Sequence, residues 1–125
     1  PRTSEAMREL FWLNAREGSG RRAQVPGFRV GGKTGTAEKV VNGRYDDDKR
    51  LNSFLAAFPM DDPRYVVLVM LDEPQPEEGQ YYATAGMNAA PTVANIVSRI
   101  GPMLRVPPRF DPPETPLLVS YDRRG

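Results

Sequence analysis

Two apolar runs, Leu51–Phe58 and Tyr65–Asp72, are joined by a link built on Pro59-Met60-Asp61-Asp62-Pro63. A parallel pair of strands needs a crossover of about a dozen residues, usually carrying a helix. This link is too short, so the two runs pair antiparallel. Just upstream, Asn42-Gly43 is a strong hairpin signal, because both central positions of that turn need positive φ. The turn joins Leu51–Phe58 to an earlier extended segment, Phe28–Val41, which Gly31 and Gly32 are expected to interrupt. Asp46-Asp47-Asp48-Lys49-Arg50 reads as a solvated loop between the turn and the second run. It lacks the alternating ligands and turn glycine of a calcium loop. Val66–Met70 is apolar at every position, a pattern that fits a strand covered on both faces.

Helical patterns flank this β region. Thr3–Glu17 carries Met7, Leu10, Phe11 and Asn14 at helical spacing, with Ala6 and Leu13 beside them, which predicts that this stripe faces inward. Trp12 and Phe11 read as core residues. Thr3 or Ser4 is expected to cap the start, Glu5 to sit in the first turn and Gly18 to end the helix. Gly18-Ser19-Gly20-Arg21-Arg22 reads as a flexible basic connection, and Glu73–Gln80 as an exposed loop. A second helix is expected from about Asn88 to Leu104, with Pro91 near its first turn and Val93, Ile96, Val97 and Ile100 buried. The expected fold is α+β: a three-stranded antiparallel sheet with an N-terminal and a C-terminal helix packed on it. Residues 1–108 form the domain, and the proline-rich residues 109–125 read as an extended, disordered tail.

Composition narrows the chemistry. The 125 residues contain no cysteine and no histidine, which excludes zinc sites built on those ligands, a cysteine nucleophile and a serine–histidine triad within this chain. A net charge of +1 provides no field for recruiting nucleic acid. The apolar run Val66–Leu71 falls far short of the roughly 20 residues that span a bilayer. The opening Pro1 and the lack of a signal-like segment mark the chain as a piece of something longer.

The segment richest in chemistry satisfies two patterns at once. Gly27-Phe28-Arg29-Val30-Gly31-Gly32-Lys33-Thr34 fits the phosphate-binding G-x-x-x-x-G-K-[ST] string, and Val67–Glu73 could serve as the acidic strand end that holds magnesium. A phosphate loop, however, must feed straight into a helix whose N-terminus faces the anion. Here Lys33-Thr34 is followed by Gly35-Thr36 and then by Val40-Val41-Asn42-Gly43, which is strand chemistry closed by a turn. The second pattern is Lys33-Thr34-Gly35 on a strand, a signature of serine β-lactamases and penicillin-binding proteins. Thr34 and Thr36 share a face of such a strand, whereas Lys33 joins them only if the chain twists. Gly35 leaves room for a substrate backbone to lie alongside.

The longer string Val25-Pro26-Gly27-Phe28-Arg29-Val30-Gly31-Gly32-Lys33-Thr34-Gly35-Thr36-Ala37-Glu38-Lys39 resembles the third active-site motif of class B penicillin-binding proteins. It is most similar to their division-specific peptidoglycan D,D-transpeptidases from Gram-negative bacteria. Asn52–Pro59, Val66–Pro74, Tyr81-Tyr82-Ala83, Ala89-Ala90-Pro91 and Val106-Pro107-Pro108 extend the similarity over nearly the whole ordered chain.

The resemblance implies a serine β-lactamase/transpeptidase-like fold with a five-stranded sheet, no cofactor, and acyl transfer between peptidoglycan stem peptides through a serine ester. It implies that Lys33 supplies positive charge near the nucleophile, that the Thr34 and Thr36 hydroxyls bind a carboxylate, and that the Thr36 N–H completes an oxyanion hole beside Gly35. Stem peptides, β-lactams and cell-division proteins are the implied partners, with the parent anchored in the inner membrane and this domain in the periplasm.

The family also needs Ser-x-x-Lys and Ser-x-Asn. None of Ser4, Ser19, Ser53, Ser98 and Ser120 has lysine three residues on or asparagine two residues on. Both signatures are therefore expected upstream of Pro1, which would leave this chain inactive alone. Its Tyr65–Asp72 strand would then lack a neighbour and offer an edge for self-association. A phosphate-loop nucleotide-binding protein and a non-catalytic interaction module are the alternatives.

Overall fold

The computed structural model describes residues 1–76, 78–79 and 84–110, the side chain of Asp47 apart. The element order is α1 (Arg2–Glu17), a short 3-10 turn (Arg21–Ala23), β1 (Gly31–Val41), β2 (Arg44–Phe58), β3 (Tyr65–Asp72) and α2 (Ala89–Met103). The three strands form one antiparallel sheet in the order β1-β2-β3, as the short link and the Asn42-Gly43 turn require. Asn42 and Gly43 have φ of 52° and 79°, which closes the hairpin between Val41 and Arg44. The C-terminal stretch 111–125 and the pair Tyr81-Tyr82 lie outside the described residues.

The core sits between one face of the sheet and α2. Phe54, Ala56 and Phe58 of β2 and Val69 of β3 are buried against Val93 and Val97, with Phe28, Val30 and Val106 closing the end. Burying a side chain the size of Val or Phe contributes about 1.5–3 kcal/mol, so this cluster dominates the fold. Ile96 and Ile100 pack at its margin, completing the stripe expected for α2. Asn88 caps α2: its Oδ1 accepts from the Ala89 N–H at 2.6 Å and from Asn52 Nδ2 at 3.2 Å. The helix start is thereby tied to β2.

Five local expectations are corrected by the structure. First, Thr3 and Ser4 do not cap α1. Pro1 O already accepts from the Glu5 N–H at 3.0 Å, so the helical ladder begins earlier and both residues lie inside it. Second, α1 does not bury its bulky stripe, since Met7, Leu10 and Leu13 are 44%, 55% and 48% exposed while Ala15 is fully buried. The glycine pair at the start of β1 lets the helix backbone approach closely, and a Cβ on Gly31 would stand 3.1 Å from the Phe11 carbonyl carbon. Helix backbone therefore meets strand backbone there, and Trp12 is half-buried, with the guanidinium groups of Arg16 and Arg29 over its ring.

Third, β1 begins at Gly31 rather than Phe28. Val25–Phe28 closes into a turn with Gly27 at φ 88°, and Arg29 follows at φ 51°, so extended pairing starts only where Gly31 meets Ala57. Fourth, Asp46–Arg50 belongs to β2 and is not a free loop. The register steps from Lys39↔Asp46 to Glu38↔Arg50, so residues 47–49 are accommodated as a bulge, with the Asp48 N–H donating to Asp46 Oδ1 at 2.9 Å.

Fifth, β3 is covered on one face only. Val67, Val69 and Leu71 turn towards the core, whereas Val66, Leu68 and Met70 are 70%, 57% and 54% exposed. Both helices pack on the same small sheet, α1 against β1 and α2 against β2 and β3, and this leaves the alternate face of β3 open.

At the C-terminal end of the described chain, the Arg109 N–H donates to Gly27 O at 2.8 Å and its guanidinium to Asp61 Oδ2 at 2.7 Å.

Candidate active site

The Lys33-Thr34-Gly35-Thr36 segment is fully extended, paired in register with Leu55, Phe54, Ser53 and Asn52. No helix follows it; the strand continues to Val41 and into the hairpin. The Gly27–Thr34 string therefore does not form a phosphate loop, because its amides are committed to a turn and a strand instead of converging on a helix N-terminus. Among the described residues no cluster of acidic side chains is placed to hold a metal ion.

Four contacts fix this half of the strand. Asn14 of α1 donates through Nδ2 to Gly32 O at 2.8 Å. Ser19 Oγ lies 3.0 Å from Thr34 Oγ1 and 3.3 Å from Asn14 Oδ1, so helix, connection and strand share one polar network. Lys33 Nζ folds back to donate to Thr34 O at 2.8 Å, with Thr34 Oγ1 at 3.4 Å. In this way the ammonium reaches the Thr34 side of the strand despite the alternation of side chains. Ser53 Oγ donates to Gly35 O at 3.4 Å, and a Cβ at position 35 would stand 2.6 Å from that same Oγ. A side chain at position 35 would therefore crowd the Ser53 hydroxyl of β2.

A cavity of about 280 Å³ opens over Thr34 and Thr36, close to the lower size of small-molecule sites. Gly18, Ser19, Arg21 and Arg22 line one side, and Thr84–Met87 line the other. The second side is held in place by close packing, for a Cβ on Gly86 would meet Ser19 O at 2.8 Å. The structure therefore brings the predicted residues Thr34 and Thr36 to the cavity together with Ser19, Arg21, Arg22 and Thr84, which carry no functional expectation from sequence, while the predicted Lys33 and Gly35 lie on the same strand outside its lining. The sequence marks Arg21 and Arg22 only as part of a flexible basic connection. Their sequence signal, two cations directly after Gly-Ser-Gly, gains meaning only when the 3-10 turn carries them to the cavity wall. The lining thus carries four hydroxyl-bearing residues, Ser19, Thr34, Thr36 and Thr84, and two cationic ones, Arg21 and Arg22.

A family profile described as the penicillin binding protein transpeptidase domain matches residues 1–98. A probable peptidoglycan D,D-transpeptidase FtsI of Caulobacter vibrioides is 45% identical over 96 residues, covering 71% of this chain and 16% of that protein. Stage V sporulation protein D of Bacillus subtilis is 43% identical over 107 residues, covering 86% and 16% respectively. Among solved structures, the transpeptidase domain of Burkholderia pseudomallei penicillin-binding protein 3 superposes with a TM-score of 0.74 at 38% identity. That match covers 89% of this chain and 33% of the other. Penicillin-binding protein 3 of Mycobacterium tuberculosis, solved with ampicillin, gives a TM-score of 0.73 at 31% identity over 90% of this chain and 26% of the other. The chain thus spans about a sixth of the length of the curated relatives it matches. An extended Lys-Thr-Gly-Thr strand, its flanking cavity and a match over most of the sequence agree, and the chain belongs to the penicillin-binding protein transpeptidase family.

Proposed function

We propose that this chain forms one wall of the active site of a peptidoglycan D,D-transpeptidase that joins stem peptides during septal cell-wall synthesis. The observation that carries this reading is the extended Lys33–Thr36 segment beside a cavity lined with hydroxyls and cations. In this reading the Thr34 and Thr36 hydroxyls, with Arg21 and Arg22 behind them, hold the substrate carboxylate. The Lys33 ammonium, already drawn towards Thr34, raises the positive potential where the carbonyl is attacked. The Thr36 N–H supplies one donor to the oxyanion, and losing such a donor costs about 3–4 kcal/mol of transition-state stabilisation. The attacking serine and its lysine base belong to parts of the protein beyond these 125 residues, because no Ser-x-x-Lys occurs within them. No described helix is long and apolar enough to cross a membrane, so the inner-membrane anchor of the proposed periplasmic domain is likewise assigned to the rest of the protein.

Labelling with a fluorescent penicillin tests the assignment. The full-length protein is expected to form a stable ester, and Lys33→Ala to slow its formation by at least a hundredfold. The 125-residue chain alone is expected to remain unlabelled. A full-length protein that takes no label would overturn the reading.

We also propose that the isolated chain self-associates through β3. Its backbone edge has no neighbour among the described strands, and Val66, Leu68 and Met70 stand exposed beside it. Sedimentation velocity should show dimers growing with concentration, and a monomer throughout would count against it.

A further inference from the structure

Asparagine is a poor helix former, yet Asn14 stands in the last turn of α1, where the helix meets β1. The connection that follows is folded around it. Its carbonyl accepts from the Gly18 and Gly20 N–H groups at 2.9 and 3.2 Å. A Cβ on Gly18 would overlap Asn14 Oδ1, and one on Gly20 would stand 3.2 Å from Asn14 Nδ2. Both glycines that flank Ser19 thus make room for this one side chain, and Ser19 Oγ is left between Asn14 and Thr34.

The orientation of the Asn14 amide is settled by its partners. Gly32 O can only accept, so Nδ2 faces it at 2.8 Å and Oδ1 faces Ser19 Oγ at 3.3 Å. A serine hydroxyl has one proton and two lone pairs. While that proton is on Asn14 Oδ1, the 3.0 Å contact between Ser19 Oγ and Thr34 Oγ1 is made with the Thr34 proton. Thr34 can turn its proton to a ligand and keep this contact only if Ser19 turns its own proton to Thr34. The exchange gives up the longer and weaker bond, at 3.3 Å, keeps the shorter, at 3.0 Å, and moves no heavy atom.

From this geometry we infer that Asn14 is a positioning residue for the transpeptidase site. It holds Ser19 Oγ beside Thr34 Oγ1, so that the Thr34 hydroxyl stays in place and swings from Ser19 to a ligand carboxylate by rotation of the hydroxyl protons alone. Without Asn14, ordering the Ser19 and Thr34 side chains would fall on the binding step and cost affinity. The inference rests on the transpeptidase reading and deepens it. Asn14 lies outside the lining of the cavity over Thr34 and Thr36, touches no ligand in this scheme and acts through Ser19.

Benzylpenicillin and its methyl ester, compared in the full-length protein, separate this role from plain support of the fold, because only the free acid offers a carboxylate. The readout is the ratio of second-order acylation rate constants, acid over ester. Asn14→Ala suits the helix and removes both polar ends of the side chain. It is expected to lower the ratio about two- to tenfold, the weight of one hydrogen bond. Ser19→Ala should lower it by a similar factor while leaving the Gly32 carbonyl to Asn14, and it tests the relay even where Asn14→Ala does not fold. The double variant should fall no further than Ser19→Ala alone, since the two residues act in series. Rates with the acid alone supply this double-variant comparison if the ester reacts too slowly to follow. A wild-type value in either single variant, or losses that add in the double variant, would overturn the inference and leave the transpeptidase reading intact. A wild type that reacts with neither compound would overturn both.

Discussion

Between Gly31 and Thr36, β1 is gripped from three directions, by Asn14 of α1, Ser19 of the connection and the β2 ladder, whereas from Lys39 onward the same strand projects as a hairpin arm. On the arm Val40 and Tyr45 face each other across the ladder at 61% and 76% exposure, and residues 47–49 bulge from it. The first half holds the Thr34 hydroxyl and the Lys33 ammonium in one hydrogen-bonded group. The second half carries side chains that can vary without disturbing the core. One strand thus has a gripped half and a projecting half, with the register step at Glu38/Lys39 dividing the two.

The sharpest way to break this contrast is to remove a large side chain on each side of it. Phe54, fully buried and paired with Thr34 in the register, supports the gripped half from beneath. Phe54→Ala should cost about 3–5 kcal/mol, read as a lower urea midpoint. Tyr45→Ala on the arm should stay within about 0.5 kcal/mol of the parent. Equal losses at the two sites would mean that the arm is packed as tightly as the wall.

Glycines sharpen the comparison at a smaller scale, because the two halves need them for different reasons. A Cβ on Gly32 would stand 2.3 Å from Leu55 O, a backbone atom that cannot swing aside. Gly32→Ala should therefore cost about 1–3 kcal/mol and shift the strand against β2. At Gly43 nothing lies within 4 Å, and the cost arises from φ of 79° alone. Gly43→Ala should destabilise by about 1–2 kcal/mol, and Gly43→Asn by less, since asparagine tolerates the left-handed region. Thermal or urea unfolding of the three variants ranks them, and an Asn variant no better than Ala would contradict the turn argument.

What was legible in the sequence follows the same divide. The antiparallel order could be read because a short link and an Asn-Gly turn leave no other connection. The buried stripe of α2 followed from helical spacing, and the Lys33–Thr36 strand from its composition and resemblance. The facing of α1 was misread because a hydrophobic stripe was assumed to find the core. Asn14 instead reaches the Gly32 carbonyl and Ala15 is the buried residue, leaving Met7 and Leu10 outside. The open side of β3 was hidden because Val66–Met70 is apolar throughout, so its pattern cannot report which neighbours are present. Arg21 and Arg22 were missed because no periodicity marks residues on a three-residue turn. Local chemistry was readable; long-range approach was not.

The smallest effect concerns the boundary between wall and arm. Lys39 lies just past the register step, and its ammonium reaches the carboxylates of Asp72 and Glu73 at the far end of β3. The hydrogen bond to Asp72 is the main cause that raises the Lys39 pKa above its usual value, with Glu73 adding to it. A lysine whose folded pKa is raised stabilises the fold fully below its unfolded value, near about 10.4, and that contribution disappears as pH rises through the folded value. Lys39→Met should therefore lower the urea midpoint slightly at neutral pH. The difference from the parent should shrink only above about pH 10.4, because the proton is retained through the whole neutral range. Salt should reduce the same difference, since the pair is exposed and screened. If the variant matched the parent at neutral pH and low salt, the clamp would contribute nothing. The register step would then rest on backbone pairing alone, and the arm would be joined to the wall through its ladder rather than through charge.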